Sequence, residues 1–421
     1  MALGASIPDP DVLDAQDPLR RFRDQFVIAD PELCYLDGNS LGRLPKKTTE
    51  VVQRFLLEEW GSQLVAGWSH WIDEAQRVGD IIGTVTLGAA PGQVLALDTT
   101  SVNFYQLCEA AIKARPDRDV VISDTANFPT DRYILEGLCD RYGKRLVLID
   151  DESNEEFVTA EMLQAHLSKD VALVTFSIIQ YRSGALHDVR RLTQMAHESG
   201  ALVVWDASHA VGVVDLKFDA DDVDLAVGCT YKYCNSGPGS PAWLYVNKRL
   251  QESLQVPIQG WFAQRDQFSM GQGFERAEGM RGFQIASPSI VGLRCVETAV
   301  EMIREATMPA ITAKAAKGTE MMLALHDEWL APLGFSVVTP RNATRRGGHI
   351  TMKHPEAKQI AVAMREMVKV IPDYREPSSI RVAMSPLATS YREVYDGFAR
   401  IRDLVSSGNY RQATIPAGRV T

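Results

Sequence analysis

The chain has 421 residues, with 44 basic and 54 acidic side chains and a formal net charge of −10 at pH 7. Apolar residues make up 45% and charged residues 23% of it, close to the average of globular proteins, which excludes a disordered or collagen-like chain. The length suffices for two or three domains that each bury a core. The acidic balance argues against a nucleic-acid-binding protein, because phosphate contacts require clustered Lys and Arg.

Targeting, redox and metal-binding patterns point to the same cellular setting. The six cysteines include no Cys-x-x-Cys pair, and so long a chain requires no disulfide framework. The N-terminus lacks the basic and apolar regions of a signal peptide, and no apolar run approaches the ~18–20 residues of a membrane span. The histidines show no metal-ligand spacing, so we expect no metal site. These patterns predict a reduced, cytoplasmic protein that binds neither membrane nor nucleic acid.

In chain order, a short strand at 34–36 and a helix at 48–59 come first. Apolar, β-branched runs then alternate with amphipathic helices, which predicts a mostly parallel, seven-stranded α/β sheet with helices on both faces. The link at 234–240 is too short for a helix, so we expect one of the last two strands to run antiparallel. The predicted strands are 93–97, 120–123, 145–149, 172–177, 202–206, 225–230 and 242–246, and the helices 102–113, 131–142, 160–168 and 189–199.

The pattern changes after residue 281 to that of an α+β unit. A long helical run at 289–305 continues toward 329, and shorter strands alternate with helices beyond it. The predicted elements are strands at 336–339, 348–352 and 380–383 and helices at 356–369 and 391–407. We therefore predict an N-terminal arm (1–45) that joins the small domain, a large domain (46–295) and a small C-terminal domain (296–421).

Neither Gly-x-Gly-x-x-Gly nor Gly-x-x-x-x-Gly-Lys-Ser/Thr is present. Ligands of α/β sheets nevertheless bind at the carboxyl ends of strands, so the residues after each strand are the candidates. Thr100 and Ser101 follow the first strand at a helix start, where hydroxyls and free N–H groups bind anions but also act as plain caps. Phe128, after the next strand, could stack on a flat ligand or pack as a hydrophobic staple before the helix. Asp131 could be only a helix cap.

Two further residues carry the strongest local signals. Asp206 ends a buried strand, and its carboxylate needs a partner such as a protonated pyridine nitrogen, a helix cap or an ion pair. Lys232 follows an apolar run, where a lowered pKa suits Schiff-base chemistry, although lysines at strand ends usually extend into solvent. A carboxylate, a lysine, an aromatic ring and an anion-binding helix start together match the requirements of pyridoxal phosphate.

The chain resembles the kynureninase family, which belongs to the aspartate-aminotransferase-like, fold-type I enzymes of pyridoxal phosphate. The resemblance extends from about residue 35 to 391. The strings that carry it are YLDGNSLGRLP at 35–45, GWSHWI at 67–72, DTTSVN at 98–103, NFPTD at 127–131, YRSG at 181–184, DASH at 206–209, YKY at 231–233, GWF at 260–262 and IRV at 380–382.

The resemblance implies a role for each candidate around the cofactor ring. Lys232 would form the covalent link to the cofactor, and Asp206 would hold the pyridinium nitrogen. Phe128 would stack on the ring, with Asp131 and His209 near its polar edge.

The resemblance also implies phosphate-binding and substrate-binding residues. In this family two subunits of a homodimer share each active site. Thr100, Ser101 and Tyr231 would bind the phosphate and Ser177 would line the site, while Trp261 and Ser287 would reach the phosphate from the second subunit. Arg381 would receive the α-carboxylate of the amino-acid substrate, since a guanidinium binds carboxylate bidentately, and Trp68 would face the aryl ring. Without the resemblance, Arg381 reads as a structural ion pair.

The implied activity is hydrolysis of L-kynurenine to anthranilate and L-alanine, in tryptophan catabolism and NAD biosynthesis. Ser287 and Trp68 replace the Asn and His of some relatives and favour kynurenine over 3-hydroxykynurenine. The alternatives are a cysteine desulfurase or selenocysteine lyase and an aminotransferase. The first two need a nucleophilic cysteine in the C-terminal part, but the last cysteine is Cys295, within a predicted helix. A catalytically silent cofactor-binding protein would be expected to lack Lys232 or Arg381.

Overall fold

The structure is a computed structural model that describes residues 7–150 and 157–415. The first six residues of the predicted arm and the last six of the predicted C-terminal domain lie outside the described residues. The strands are β1 Cys34–Tyr35, β2 Val94–Ala96, β3 Val120–Asp124, β4 Arg145–Ile149, β5 Val171–Ser177, β6 Leu202–Asp206, β7 Leu225–Gly228, β8 Trp243–Val246, β9 Ser336–Val337, β10 His349–Lys353, β11 Val370–Ile371, β12 Asp373–Arg375 and β13 Ser379–Ala383.

The α-helices surround two sheets. Most of the longer ones begin at a side-chain cap, such as the Thr99 hydroxyl, which accepts a hydrogen bond from the N–H of Val102. They are α1 Pro10–Ala15, α2 Lys46–Arg54, α3 Gly61–Gln63, α4 Trp68–Trp71, α5 Glu74–Ile82, α6 Thr100–Lys113, α7 Pro129–Tyr142, α8 Ala160–Gln164, α9 Val189–Ser199, α10 Ile290–Ala306, α11 Met308–Leu325, α12 Ala357–Val368 and α13 Tyr391–Ser406.

The large sheet has seven strands in the order β2-β8-β7-β6-β5-β3-β4. Strand β8 runs antiparallel to both β7 and β2, and the other neighbours pair in parallel. The predicted seven-stranded, mostly parallel sheet is confirmed, and so is the antiparallel strand among the last two. The short link before β8 leaves no room for a crossover helix, which is why β8 reverses direction.

Alternate residues of each central strand enter two separate cores. In β6, Val203 and Trp205 pack in one hydrophobic cluster, whereas Leu202 and Val204 pack in the other. Apolar side chains on both faces explain why the central strands read as continuous hydrophobic runs. The strands therefore end together in a sheet that is covered by helices on both sides.

The second sheet has the order β12-β13-β10-β9, and β1 pairs in parallel with β11. Cys34 and Leu36 pack in one cluster with apolar residues of positions 321–410. The predicted boundary after residue 295 falls inside α10, so this helix crosses it. The division into an arm and two domains stays a prediction.

Several predicted elements differ from those observed. The long run predicted from 289 toward 329 is two helices, because the chain reverses at Thr307 and proline follows at position 309. Helix α8 ends at Gln164 instead of 168, and α6 begins two residues earlier than predicted. Helices α1 and α5 were not predicted. Within the described residues, no helix is long and apolar enough to cross a membrane, and no group of three or more His, Cys, Asp or Glu could hold a metal ion.

Candidate active site

A cavity lies at the carboxyl ends of the large-sheet strands, where α/β folds bind ligands. It is lined by nine predicted site residues and three others. The predicted ones are Thr100, Ser101, Phe128, Asp131, Ser177, Asp206, His209 and the adjacent pair Tyr231 and Lys232, and the others are Thr130, Tyr181 and Ser208. The fold thus brings together residues that are up to 132 positions apart in sequence.

Lys232 lies just beyond β7, and its amine contacts the ring of His209. The Nζ atom is 3.4 Å from His209 Nδ1 and 3.3 Å from Nε2. Burial lowers the pKa of Lys232. Burial, together with the neighbouring charges of Lys232 and Arg381, holds the pKa of His209 well below its usual value. The site therefore keeps the imidazole neutral and favours a lysine that gives up its proton.

Two carboxyl groups in the lining of the cavity, those of Asp206 and Asp131, lie side by side. Asp206 ends β6, and its Oδ1 accepts a hydrogen bond of 2.8 Å from the N–H of Ser208. Asp131 is 3% exposed, and its Oδ2 has no hydrogen-bond partner. Burial, reinforced by the charge of Asp206, raises the pKa of Asp131 well above its usual value. The site thus favours the neutral, protonated form of Asp131 beside Asp206.

The start of α6 offers free donors to an anion. Thr99 caps the helix through the N–H of Val102, which leaves the N–H groups of Thr100 and Ser101 in the first turn without helical acceptors. Both hydroxyls line the same cavity. The helix dipole adds positive potential at this point, so the geometry suits a phosphate.

Phe128 is held at the mouth of the cavity by its neighbours. Its ring stands edge-on to Tyr181, with ring centroids 5.4 Å apart. Asn127 fixes the strand ends beneath it: its Oδ1 accepts from the Ser177 hydroxyl at 2.8 Å and from the Phe128 N–H at 2.8 Å. One asparagine thus joins the ends of β3 and β5.

Arg381 comes from the small sheet and reaches the same place. It is 1% exposed, and it forms an ion pair of 2.6 Å with Asp373 on the neighbouring strand β12. Its Nη1 lies 3.4 Å from His209 Nε2 and also donates to the carbonyl of Tyr181. Arg381 therefore has the structural ion pair that the local sequence suggests, and it also contacts His209 and Tyr181, which line the cavity.

Three predicted residues are not brought into the cavity of this chain. Trp68 packs edge-on against Trp71, at 5.6 Å between ring centroids, and against Phe262. Trp261 is 49% exposed and donates from its indole to the carbonyl of Gln267. Ser287 is exposed. Their predicted roles stay predictions.

Sequence reasoning missed the residues that support the others. Asn39 and Ser40 lie in the string at 35–45 but carried no predicted role, and both contact the guanidinium of Arg381. Asp373 was missed because a lone Asp on a short strand carries no signal. Asn127 was part of a quoted string, but its links to two strand ends depend on pairing between distant segments.

The residues present fit pyridoxal phosphate. The unpartnered Oδ2 of Asp131 and the free N–H groups at the start of α6 are polar groups that a bound ligand would satisfy. A half-exposed aromatic ring, a carboxylate at a strand end and a lysine with a lowered pKa face the same cavity. Lys232 would hold the group covalently, Asp206 would pair with its ring nitrogen and α6 would bind its phosphate.

Comparisons with known proteins agree on one family. The model of the kynureninase C-terminal domain matches residues 311–401. The kynureninase of Pseudomonas fluorescens is 35% identical over 409 residues, covering 95% of this chain and 96% of that protein. The kynureninase of Burkholderia pseudomallei strain K96243 is 35% identical over 407 residues, covering 95% of each chain.

Solved structures share the fold at much lower identity. The apo cysteine desulfurase of Thermococcus onnurineus NA1 has a TM-score of 0.78 at 18% identity, covering 96% of this chain and 100% of that one. A mutant of C-DES with glycine covalently linked to its PLP cofactor has a TM-score of 0.77 at 16% identity, covering 90% of this chain and 99% of that one. These identities establish the fold and not the reaction.

Proposed function

The chain belongs to the kynureninase family, and on that basis we propose that it hydrolyses L-kynurenine to anthranilate and L-alanine with pyridoxal phosphate as cofactor. One observation carries the proposal: Lys232 and Arg381, from different sheets, both contact His209, at 3.3 and 3.4 Å from its Nε2. A single α-amino acid can therefore reach the guanidinium with its carboxylate and the lysine with its α-carbon.

The cofactor, when bound, supplies an electron sink for the carbanion that forms on the substrate. Lys232 Nζ removes the α-proton, and its lowered pKa keeps a useful fraction of the amine neutral. Asp206, at the end of β6, would pair with the cofactor's ring nitrogen and favour its protonated form. Neutral His209 separates Lys232 from Arg381 without adding a third positive charge.

Arg381 binds the α-carboxylate and thereby fixes which substrate bond faces Lys232. The approach of a carboxylate to Nη1 requires the contact with His209 to give way, because Nη1 also donates to the carbonyl of Tyr181. Burial of the guanidinium removes competing water and strengthens its attraction for an anion.

Cleavage of the β,γ-bond requires water to add to the γ-carbonyl and a donor for the oxygen that becomes negative. Tyr231 lines the cavity beside Lys232, and burial raises the pKa of its hydroxyl. The hydroxyl therefore stays protonated at neutral pH and can donate. Collapse of the adduct then breaks the β,γ-bond, and the γ-carbon departs with the added oxygen as anthranilate. The electron pair of the broken bond stays on the β-carbon, which takes up a proton that the added water released, and L-alanine results.

We also propose an assembly, a substrate preference and a cellular location for the protein. We propose a homodimer in which Trp261 and Ser287 complete the site of the second subunit, supported by their exposure in one chain. The small Ser287 and the aromatic Trp68 favour kynurenine over its 3-hydroxy derivative. All six cysteines are free thiols, which supports a reducing, cytoplasmic setting.

Desulfurase chemistry lacks its nucleophile here. Cys295, the last cysteine, lies in α10 and is partly buried, and burial raises the pKa of its thiol. A persulfide-forming cysteine needs an exposed thiol of low pKa. The similarity to desulfurase structures is thus one of fold.

Variants of the two central residues test the proposal. Lys232→Ala should change the cofactor absorbance and lower kcat by at least about 100-fold, because it removes the proton-transfer group. Arg381→Lys should raise KM for L-kynurenine by roughly 10-fold, since the fork of donors is lost. The control Arg402→Lys, on α13, where the arginine pairs with the exposed Asp403, should leave KM unchanged. Unaltered kinetics in both variants would remove these residues from the site.

A further inference from the structure

Asn39 lies behind the guanidinium that the proposed substrate would contact. It is fully buried, and with its amide oxygen facing Arg381 it accepts hydrogen bonds from Nε at 2.9 Å and from Nη2 at 3.0 Å. These two bonds lie on one edge of the guanidinium. Because the group is planar, two bonds along one edge fix the direction of its other edge.

The side chains that contact Arg381 besides Asn39 hold only its Nη nitrogens, and Nη1 also donates to the carbonyl of Tyr181. Asp373 binds Nη2 at 2.6 Å, and Ser40 accepts from Nη2 at 3.2 Å, so both contact the nitrogen that Asn39 also binds. Within the described residues, no side chain other than Asn39 accepts a hydrogen bond from Nε. Loss of Asn39 would therefore leave Nε without an acceptor, and beyond the contacts of Nη2 only the carbonyl of Tyr181, at Nη1, would still restrain the plane.

The loop that carries Asn39 is tied to both halves of the site. At its start, Leu36 is bound to the small-domain side by two hydrogen bonds. The Leu36 N–H donates to the carbonyl of Ile371, and the Leu36 carbonyl accepts from the N–H of Ala383. At its end, the N–H of Gly42 donates to the carbonyl of Tyr231 at 2.8 Å. A Cβ on Gly42 would lie 2.5 Å from the carbonyl oxygen of Lys232, so the contact is close.

A neutral acceptor suits this position better than a charged one. Asp37 and Asp373 already place two buried carboxyl groups near Arg381, and a third would offset the positive charge that a substrate carboxylate needs. Burial and the charge of Asp373 raise the pKa of Asp37 to about 6, which shows how crowded with acidic groups this region is. The amide orients the guanidinium without adding charge.

We propose that Asn39 is a positioning residue that orients Arg381 toward the α-carboxylate of the amino acid and thereby sets the preference for substrates that carry one. The inference rests on the proposed function of Arg381 as the carboxylate-binding residue. It assigns to Asn39 an effect on carboxylate recognition, with none on cofactor binding.

The test compares a ligand that has the carboxylate with one that lacks it. L-Alanine is titrated into the holoenzyme, and its binding is followed by the change in cofactor absorbance. The affinity of the decarboxylated analogue of kynurenine is measured by its competition with L-alanine. Asn39→Ala should weaken L-alanine binding about 10-fold by freeing the guanidinium, and Asn39→Asp by a similar factor through its added charge. Neither variant should change affinity for the carboxylate-free amine by more than about 2-fold.

The control is Asn247→Ala, which removes an asparagine that bonds the carbonyl of Val223 away from the site and should bind L-alanine as the wild type does. General destabilisation would weaken both ligands equally, and that result overturns the inference. So does unchanged L-alanine affinity in whichever Asn39 variant folds. Because the alanine titration requires no kynurenine turnover, a wild-type protein that releases no anthranilate refutes the proposed function separately.

Discussion

Asp124 is a buried carboxyl group that the proposed reaction does not use. It is 2% exposed, its Oδ1 accepts from the Gln180 amide at 2.9 Å, and its Oδ2 has no partner. Burial raises its pKa to about 7 from 3.8. The folded chain therefore binds a proton that the unfolded chain releases between about pH 4 and 7, so stability should fall as pH rises through this window.

The substitution Asp124→Asn should remove that dependence. At about 1.4 kcal/mol per unit of pKa shift, the free energy of unfolding of the wild type should fall by roughly 1–4 kcal/mol more than that of the variant between pH 4 and 8. Denaturant unfolding at several pH values measures it. The control is Asp140→Asn, an exposed carboxylate on α7, which should follow the wild type. Parallel curves for wild type and Asp124→Asn would contradict the account.

Single site residues at strand ends could be predicted from the sequence, whereas the residues that hydrogen-bond to them and hold them in place could not. Asp206 and Lys232 follow apolar runs, and a polar group at that point of an α/β sheet is a ligand candidate on local grounds. The string at 35–45 marked Asn39 only by family resemblance, because its partner Arg381 lies 342 positions later in the chain. Contacts between the arm and the small sheet depend on tertiary packing that no local pattern encodes.

At the level of elements, the break between α10 and α11 is the clearest departure from prediction. Periodicity continues through 289–325, but Thr307 has φ 68° and ψ 137° and forms the end of one helix and the start of the next. A β-branched residue at positive φ is strained, and proline at 309 favours the new helix start. The apolar pattern located the helices, and backbone geometry at one residue divided them.

Relief of that strain should stabilise the protein. Thr307→Gly should raise the free energy of unfolding by about 1 kcal/mol, because glycine adopts positive φ without steric cost and the Thr307 side chain makes no capping bond. The reference variant Ala313→Gly, at an exposed position within α11, should instead lower it by about 1 kcal/mol. Denaturant unfolding compares the two, and destabilisation by both would show that Thr307 is unstrained.

At the scale of the whole molecule, the central sheet could be predicted from sequence patterns. Local patterns could not show whether one chain holds every residue of the site. Strand and helix alternation indicates the sheet, and the short link at 234–240 indicates its antiparallel strand. Trp261, however, stands 49% exposed with Phe268 beside it at 65%. Large exposed aromatic residues are typical of a surface that a partner covers. A second copy of the chain is the partner that we propose.

Mixed dimers test whether two subunits share one site. Lys232→Ala and Trp261→Ala homodimers should each have low activity, because each lacks one component in both sites. Subunit exchange between them should restore about a quarter of wild-type activity, since half of the dimers are mixed and each of these has one intact site. A mixture that stays as inactive as its components would contradict the shared site.

The most direct measurement supplies the purified holoenzyme with L-kynurenine and, separately, with L-cysteine. It follows fluorescent anthranilate and released sulfide, because these products distinguish hydrolysis of the β,γ-carbon bond from the desulfurase chemistry found on the same fold. We predict anthranilate and L-alanine in equal amounts from kynurenine, and no sulfide from cysteine above a control without enzyme. Sulfide from cysteine with no anthranilate from kynurenine would contradict this prediction.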